Sequence, residues 1–163
     1  MKEILEKLSS YNLFNYLLPG IVFVIIEKQF VGYDFTQEDT LTGAFLYYFI
    51  GMVISRVGSV VIEPVLKKTS FLKFADYKNF VSASKKDVKI EVLSEANNTY
   101  RTIISMLALL FVFKFYQFIE IKFSISNDIT TYVSVSVVLL MFLLAYRKQT
   151  NYITERIAAN NNP

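Results

Sequence analysis

The sequence predicts an all-α integral membrane protein of four transmembrane helices, with an amphipathic helical segment between spans 2 and 3. Three observations carry this expectation. Of 163 residues, 53% are hydrophobic and 16% aromatic, and the mean hydropathy is +0.38, too apolar for a domain wetted on every side. Four apolar runs, at 13–30, 41–62, 102–119 and 129–146, are each near the length that crosses a hydrocarbon core of roughly 30 Å at about 1.5 Å per helical residue. Lysine and arginine gather in the segments that four crossings place on one side, as the positive-inside rule requires. The chain therefore reads as one membrane domain, 1–163, with a cytoplasmic helical segment at 64–101 and a cytoplasmic tail at 147–163.

Residues 1–10, MKEILEKLSS, set Ile4, Leu5 and Leu8 against Lys2, Glu3, Glu6 and Lys7, the pattern of a short helix lying in the interface. The first span, LFNYLLPGIVFVIIEKQF, has charges only at Glu27 and Lys28 near its far end. No small-residue cleavage site follows, so it is expected to be retained. Pro19 cannot donate to the Asn15 carbonyl, and Gly20 loosens the backbone beside it, so a kink or break is expected there. Asn12 and Asn15 are placed among the headgroups, with a polar lining as the alternative.

A short acidic loop, residues 31–40, leads into the second span, which is expected to end at Glu63-Pro64. Within the long polar segment that follows, Phe71, Phe74, Tyr77 and Val81 recur at helical spacing opposite Lys73, Asp76 and Asn79, the signature of an amphipathic helix on a membrane or a partner. Ser84 with Asp87 three residues on resembles a capping box for a further helix carrying Val88, Val92 and Ala96 on one face. Alternation around Asn127-Asp128 also fits a β-hairpin. A strand from Ile129 to Ser136 would leave too few apolar residues before Arg147 for a crossing, so the helix is preferred. The polar tail ending in an Asn run is expected to be partly disordered.

Lys2, Lys7, the seven lysines from Lys67 to Lys89, Arg101, Arg147, Lys148 and Arg156 fall on one side. The opposite loops hold Lys28 and Lys122 against Glu27, Asp34, Glu38, Asp39, Glu120 and Asp128. Both termini and the middle segment are thus expected in the cytoplasm. Arg56, inside the second span, has three readings: snorkelling to the headgroups, an inter-helix hydrogen bond to backbone or Tyr, or an ion pathway. Lys114 is expected to snorkel outward. Gly51, Ser55 and Gly58 leave room for another backbone to approach, so with Pro19 and Gly20 they are candidates for helix packing or a pathway, and the Gly51-Ser55 pattern is expected to drive self-association. Lys67, Lys68, Phe71, Lys73, Phe74, Tyr77, Lys85, Lys86 and Lys89 are the candidates for docking a partner or touching anionic lipid heads. Lipid is preferred over nucleic acid as the polyanion they meet.

The absence of Cys and His excludes disulfide staples, thiolate nucleophiles, imidazole bases and the usual zinc ligand sets. No Gly-rich phosphate loop, paired acidic metal site or nucleophile-base set accompanies the lysines. No catalytic, metal or cofactor residue is predicted.

The strings YNLFNYLLPG, FIGMVISRVGSVVIEP, FVSASKKD and SEANNTYR resemble those of a group of small bacterial four-span membrane proteins. In layout the chain is similar to membrane components of bacterial anti-phage operons, including the membrane subunit of Kiwa-type systems. That resemblance implies an oligomeric inner-membrane subunit paired with a cytosolic sensor or effector. The expected function is a non-enzymatic membrane subunit that self-associates and docks a cytosolic partner on residues 65–100. The alternative is an oligomeric ion or small-solute channel with the Pro19-Gly20 break and Arg56 near its pathway.

Overall fold

The computed structural model describes residues 11–161, and all of the regular structure among them is helical. The expected interface helix at residues 1–10 lies outside the described residues. The elements are α1 (Leu13–Phe30), α2 (Thr40–Lys68), α3 (Tyr77–Lys86), α4 (Lys89–Phe123) and α5 (Asn127–Asn161). Four of them, α1, α2, α4 and α5, are long and apolar enough to cross a membrane. They run alternately up and down. One end of the bundle, the terminal face, gathers the start of α1, the end of α2, all of α3, the start of α4 and the end of α5; the other, the loop face, carries the two short connections.

Both prolines inside spans are preceded by a π-helical turn. In α1 the turn covers Leu13–Leu17, and the Leu18 amide reaches back to the Leu13 carbonyl; in α2 it covers Gly58–Ile62, and the Glu63 amide reaches the Gly58 carbonyl. A proline ring collides with the carbonyl four residues earlier and offers no donor to it. Widening the preceding turn by one residue moves that carbonyl aside and keeps the helix continuous. The expected disruption at Pro19 is therefore a π-turn within a continuous helix, and α2 runs through Glu63-Pro64 to Lys68.

The three-helix core consists of α1, α2 and α4, with Phe23, Val24, Ile54, Met106 and Leu110 at its centre. The first two helices touch backbone to backbone. A Cβ on Gly20 would lie 1.8 Å from the Tyr47 carbonyl oxygen, and one on Gly51 would lie 1.7 Å from that of Tyr16. The pairs 20 with 47 and 16 with 51 share one antiparallel register, so the small residues allow a single continuous close approach. Gly58 similarly faces Arg101 and Ser105 of α4. The small-residue face of α2, expected to drive self-association, is thus packed within the chain at Gly51 and Gly58.

The fourth span is peripheral. Only 11% of its most apolar window is buried, against 33% for α1, and it leans on α2 through stacked Phe49 and Phe142 with Met141 and Ala145 beneath.

Three further expectations are corrected. The third span and the helix before it are one 35-residue rod, α4. Ser84 lies inside α3 and donates to the Val81 carbonyl, while the Asp87 carboxylate accepts the Lys89 amide and starts α4; no capping box forms. The tail, expected to be partly disordered, continues α5 to Asn161. At about 1.5 Å per residue, α4 and α5 are each about 50 Å long and overshoot a hydrocarbon core of roughly 30 Å.

Candidate functional site

Polar side chains are buried along the seam between α1, α2 and α4. Asn15, Ser55, Thr102 and Ser105 are all at most 2% exposed. The Thr102 hydroxyl lies 2.9 Å from Asn15 Oδ1, 2.9 Å from the Asn98 carbonyl and 3.3 Å from Ser55 Oγ. Asn15 Nδ2 donates to Ser55 Oγ at 3.4 Å, and Ser105 donates to the Ile54 carbonyl at 2.8 Å. In an apolar medium an unpaired polar group is costly, so these groups satisfy one another and fix the rotation of the three helices. Asn15 is therefore a core residue, against its expected place among the headgroups; Asn12 is half-buried. Thr102→Val keeps the shape and removes the central hydroxyl. It is expected to cost about 1 kcal/mol, read as a lowered unfolding midpoint in detergent, and an unchanged midpoint would count against the seam.

Arg56 takes the second of its three readings. Its Nη2 donates to the Tyr16 hydroxyl at 3.0 Å, and Tyr16 meets Tyr48 edge to face.

Towards the terminal face the seam ends in an ion-pair hub. The Glu63 carboxylate, with 7% side-chain exposure, lies 2.6 Å from Arg101 Nη1, 3.0 Å from Lys67 Nζ and 3.2 Å from Lys148 Nζ. Lys148 also donates to the Ser59 carbonyl at 2.6 Å and to Ser59 Oγ at 3.0 Å. Ser59 and Glu63, four residues apart, are both buried and face inward together across the π-turn at Gly58–Ile62. Three cations share one carboxylate, and Arg101 Nε is buried without an acceptor among the described residues, so the hub carries excess positive charge.

The predicted docking residues are divided by the fold. Lys67 belongs to the hub and lies 4.2 Å from the centre of the Phe74 ring. Tyr77 stacks on Phe80 and meets Tyr152 of α5, attaching α3 to the rod behind it. Lys68, Lys73, Lys85, Lys86 and Lys89 are exposed, and so is Phe71. Phe71 and Phe74 precede α3, which begins only after the Asp76 carboxylate accepts the Lys78 amide, so the predicted apolar stripe from Phe71 to Val81 is helical only from Tyr77.

At the loop face a second polar set holds the connections. Tyr33 donates to Glu120, which also accepts from Thr130 at 2.8 Å, and Gln117 donates to the Val31 carbonyl. Burial first, and then the Glu120 hydrogen bond, push the Tyr33 phenol well above its ordinary value. The raised folded value means that its stabilisation stands below the usual phenol range and fades as pH rises through it. Lys28, 2.8 Å away, and Thr36 hold Asp34 well below the carboxylate range. Lys114 is exposed and donates to Gln117 at 2.9 Å.

Comparison with protein-family models, curated proteins and solved structures gives no match. Among the described residues no group of acidic side chains could hold a metal ion.

Sequence reasoning missed Arg101, Thr102, Ser105 and Lys148 as partners. A signal was available for α4: Asn98, Thr102 and Ser105 are spaced four and three apart, a polar stripe entering an apolar run. Nothing in the local sequence of α5 marks Lys148 as the lysine that turns inward.

Proposed function

We propose that the chain is a non-enzymatic, multi-pass subunit of a bacterial inner membrane, with both termini cytoplasmic, that self-associates and docks a soluble partner on its terminal face. The observation that supports this reading is the length of α4 and α5, 35 residues each and so longer than a hydrocarbon core of roughly 30 Å requires. The start of α4 and the end of α5 project with α3 attached to them, and stripes at Val88 and Val92 and at Ile153 and Ile157 are exposed on polar segments. Outside the bilayer such stripes favour a protein partner. Lys85, Lys86 and Lys89 flank the α4 stripe, so the complementary partner is an acidic amphipathic surface. The excess positive charge of the Glu63 hub fits contact with anionic lipid heads at the same level. Self-association is assigned to α5, the least buried span. A role in anti-phage defence, as the membrane half of a sensor or effector, follows the resemblance in layout.

The test is to purify the gently solubilised complex from native membranes and measure its mass with and without the paired substitution Val88→Glu and Val92→Glu. The parent is expected to carry several self-copies and a soluble subunit, and the variant to lose the soluble subunit alone. A parent complex with one kind of chain, or a variant that keeps its partner in full, would overturn the docking surface.

A further inference from the structure

Glu27 is the least expected side chain in the molecule. It lies in a membrane-spanning helix, is 0% exposed, and neither carboxylate oxygen has a hydrogen-bond partner among the described residues. It sits one turn beyond the buried Phe23 and Val24, on the same face of α1. Phe113 of α4 meets both Phe23 below and Tyr33 above. An ionised carboxylate cannot be left unpaired in such surroundings, because its desolvation is not offset. The group must hold a proton or gain a cation.

The cation on α4 whose charge is felt at Glu27 is Lys114, which forms no ion pair with it. Yet Lys114 is engaged elsewhere: it donates to Gln117 Oε1 at 2.9 Å and lies 5.8 Å from the Phe30 ring centre. Tyr33, the titratable group from the α1–α2 loop, donates to Glu120 of α4; on α2 the Tyr47 phenol accepts the Gln37 amide. Each neighbour is thus occupied while Glu27 is not. Gln117 in turn holds the Val31 carbonyl, at the point where the chain leaves α1 and turns through Gly32 at a φ of +106°.

We propose that Glu27 is a proton-binding site, neutral in the fold described here, whose ionisation recruits Lys114 from Gln117 and so loosens the attachment of the α1–α2 loop. The step is a simple acid dissociation. The carboxyl O–H breaks, the proton leaves to water at the loop face, and the Lys114 ammonium supplies the balancing charge. Gln117, losing the ammonium at its oxygen, loses the clamp that aims its amide at Val31.

Infrared difference spectroscopy on the full chain in lipid, with isotope exchange to identify the carboxyl, reads this directly. At neutral pH the parent is expected to show the carbonyl stretch of a neutral carboxylic acid, lost in Glu27→Gln and lost from the parent as pH rises. Glutamine mimics the protonated side chain in size and charge, so that variant is expected to fold. Lys114→Met removes the cation that the ionised form needs and is expected to retain the band at pH values where the parent has lost it. Parent and Glu27→Gln spectra that coincide at neutral pH would overturn the proposal, as would a band in Lys114→Met that disappears at the same pH as in the parent.

Discussion

Gly51→Ala is expected to destabilise the protein by at least about 3 kcal/mol, the upper end of overpacking costs, because the added carbon would meet a backbone carbonyl and not a movable side chain. The clash, 1.7 Å from the Tyr16 oxygen, can be relieved only by separating α1 from α2. That separation also strains Tyr16 to Arg56 and Asn15 to Ser55, which bridge the same two helices. Gly20→Ala opens the seam from its other contact, against Tyr47. Once one substitution has parted the helices the second has less to disrupt, so the double variant is expected to lose less than the two single losses combined. Thermal unfolding in lipid nanodiscs, followed by near-ultraviolet circular dichroism, measures all three. A Gly51→Ala protein that unfolds with the parent's midpoint but forms a smaller oligomer would return this face to self-association.

Glu63→Gln is expected to cost about 3 kcal/mol, the scale on which breaking one side of a buried ion pair is felt. The substitution keeps the side chain's size and one acceptor, but it leaves Arg101 and Lys148, 21% and 24% exposed, as neighbouring cations with no counter-charge between them. Lys148→Met is expected to cost less, because Glu63 retains Arg101 and Lys67. In the double variant part of the Glu63→Gln loss should return, since one of the cations left without a counter-charge is gone. A Glu63→Gln midpoint matching the parent's would mean that the hub is solvated and contributes nothing.

The crossings were legible because hydropathy reports the medium that a segment faces, and α1 spans the residues expected of it. Helix ends were not. The α4 rod passes from polar to apolar sequence without a break, because the backbone ladder is indifferent to which solvent surrounds it; only Asp87, which caps the start, marks a boundary. Polarity misled at the tail in the same way, since YITERIAA lacks the composition of a core but not that of an exposed helix. At the site, Gly51 and Ser55 correctly announced close packing, yet a small-residue pattern names no partner, and the partner is α1. Glu27 was counted with the loop charges because its position along the chain gives depth and not direction. The turn of α1 points it inward.

α4 and α5 are each unbroken from end to end and longer than a hydrocarbon core is thick. A rod of this kind does not absorb a sideways push; it pivots. Force applied near Leu93 or Ile157 would therefore arrive as a change of tilt deep in the lipid, with Thr102 and Ser105 close to the fulcrum, where their hydrogen bonds to α1 and α2 set the resistance to be overcome.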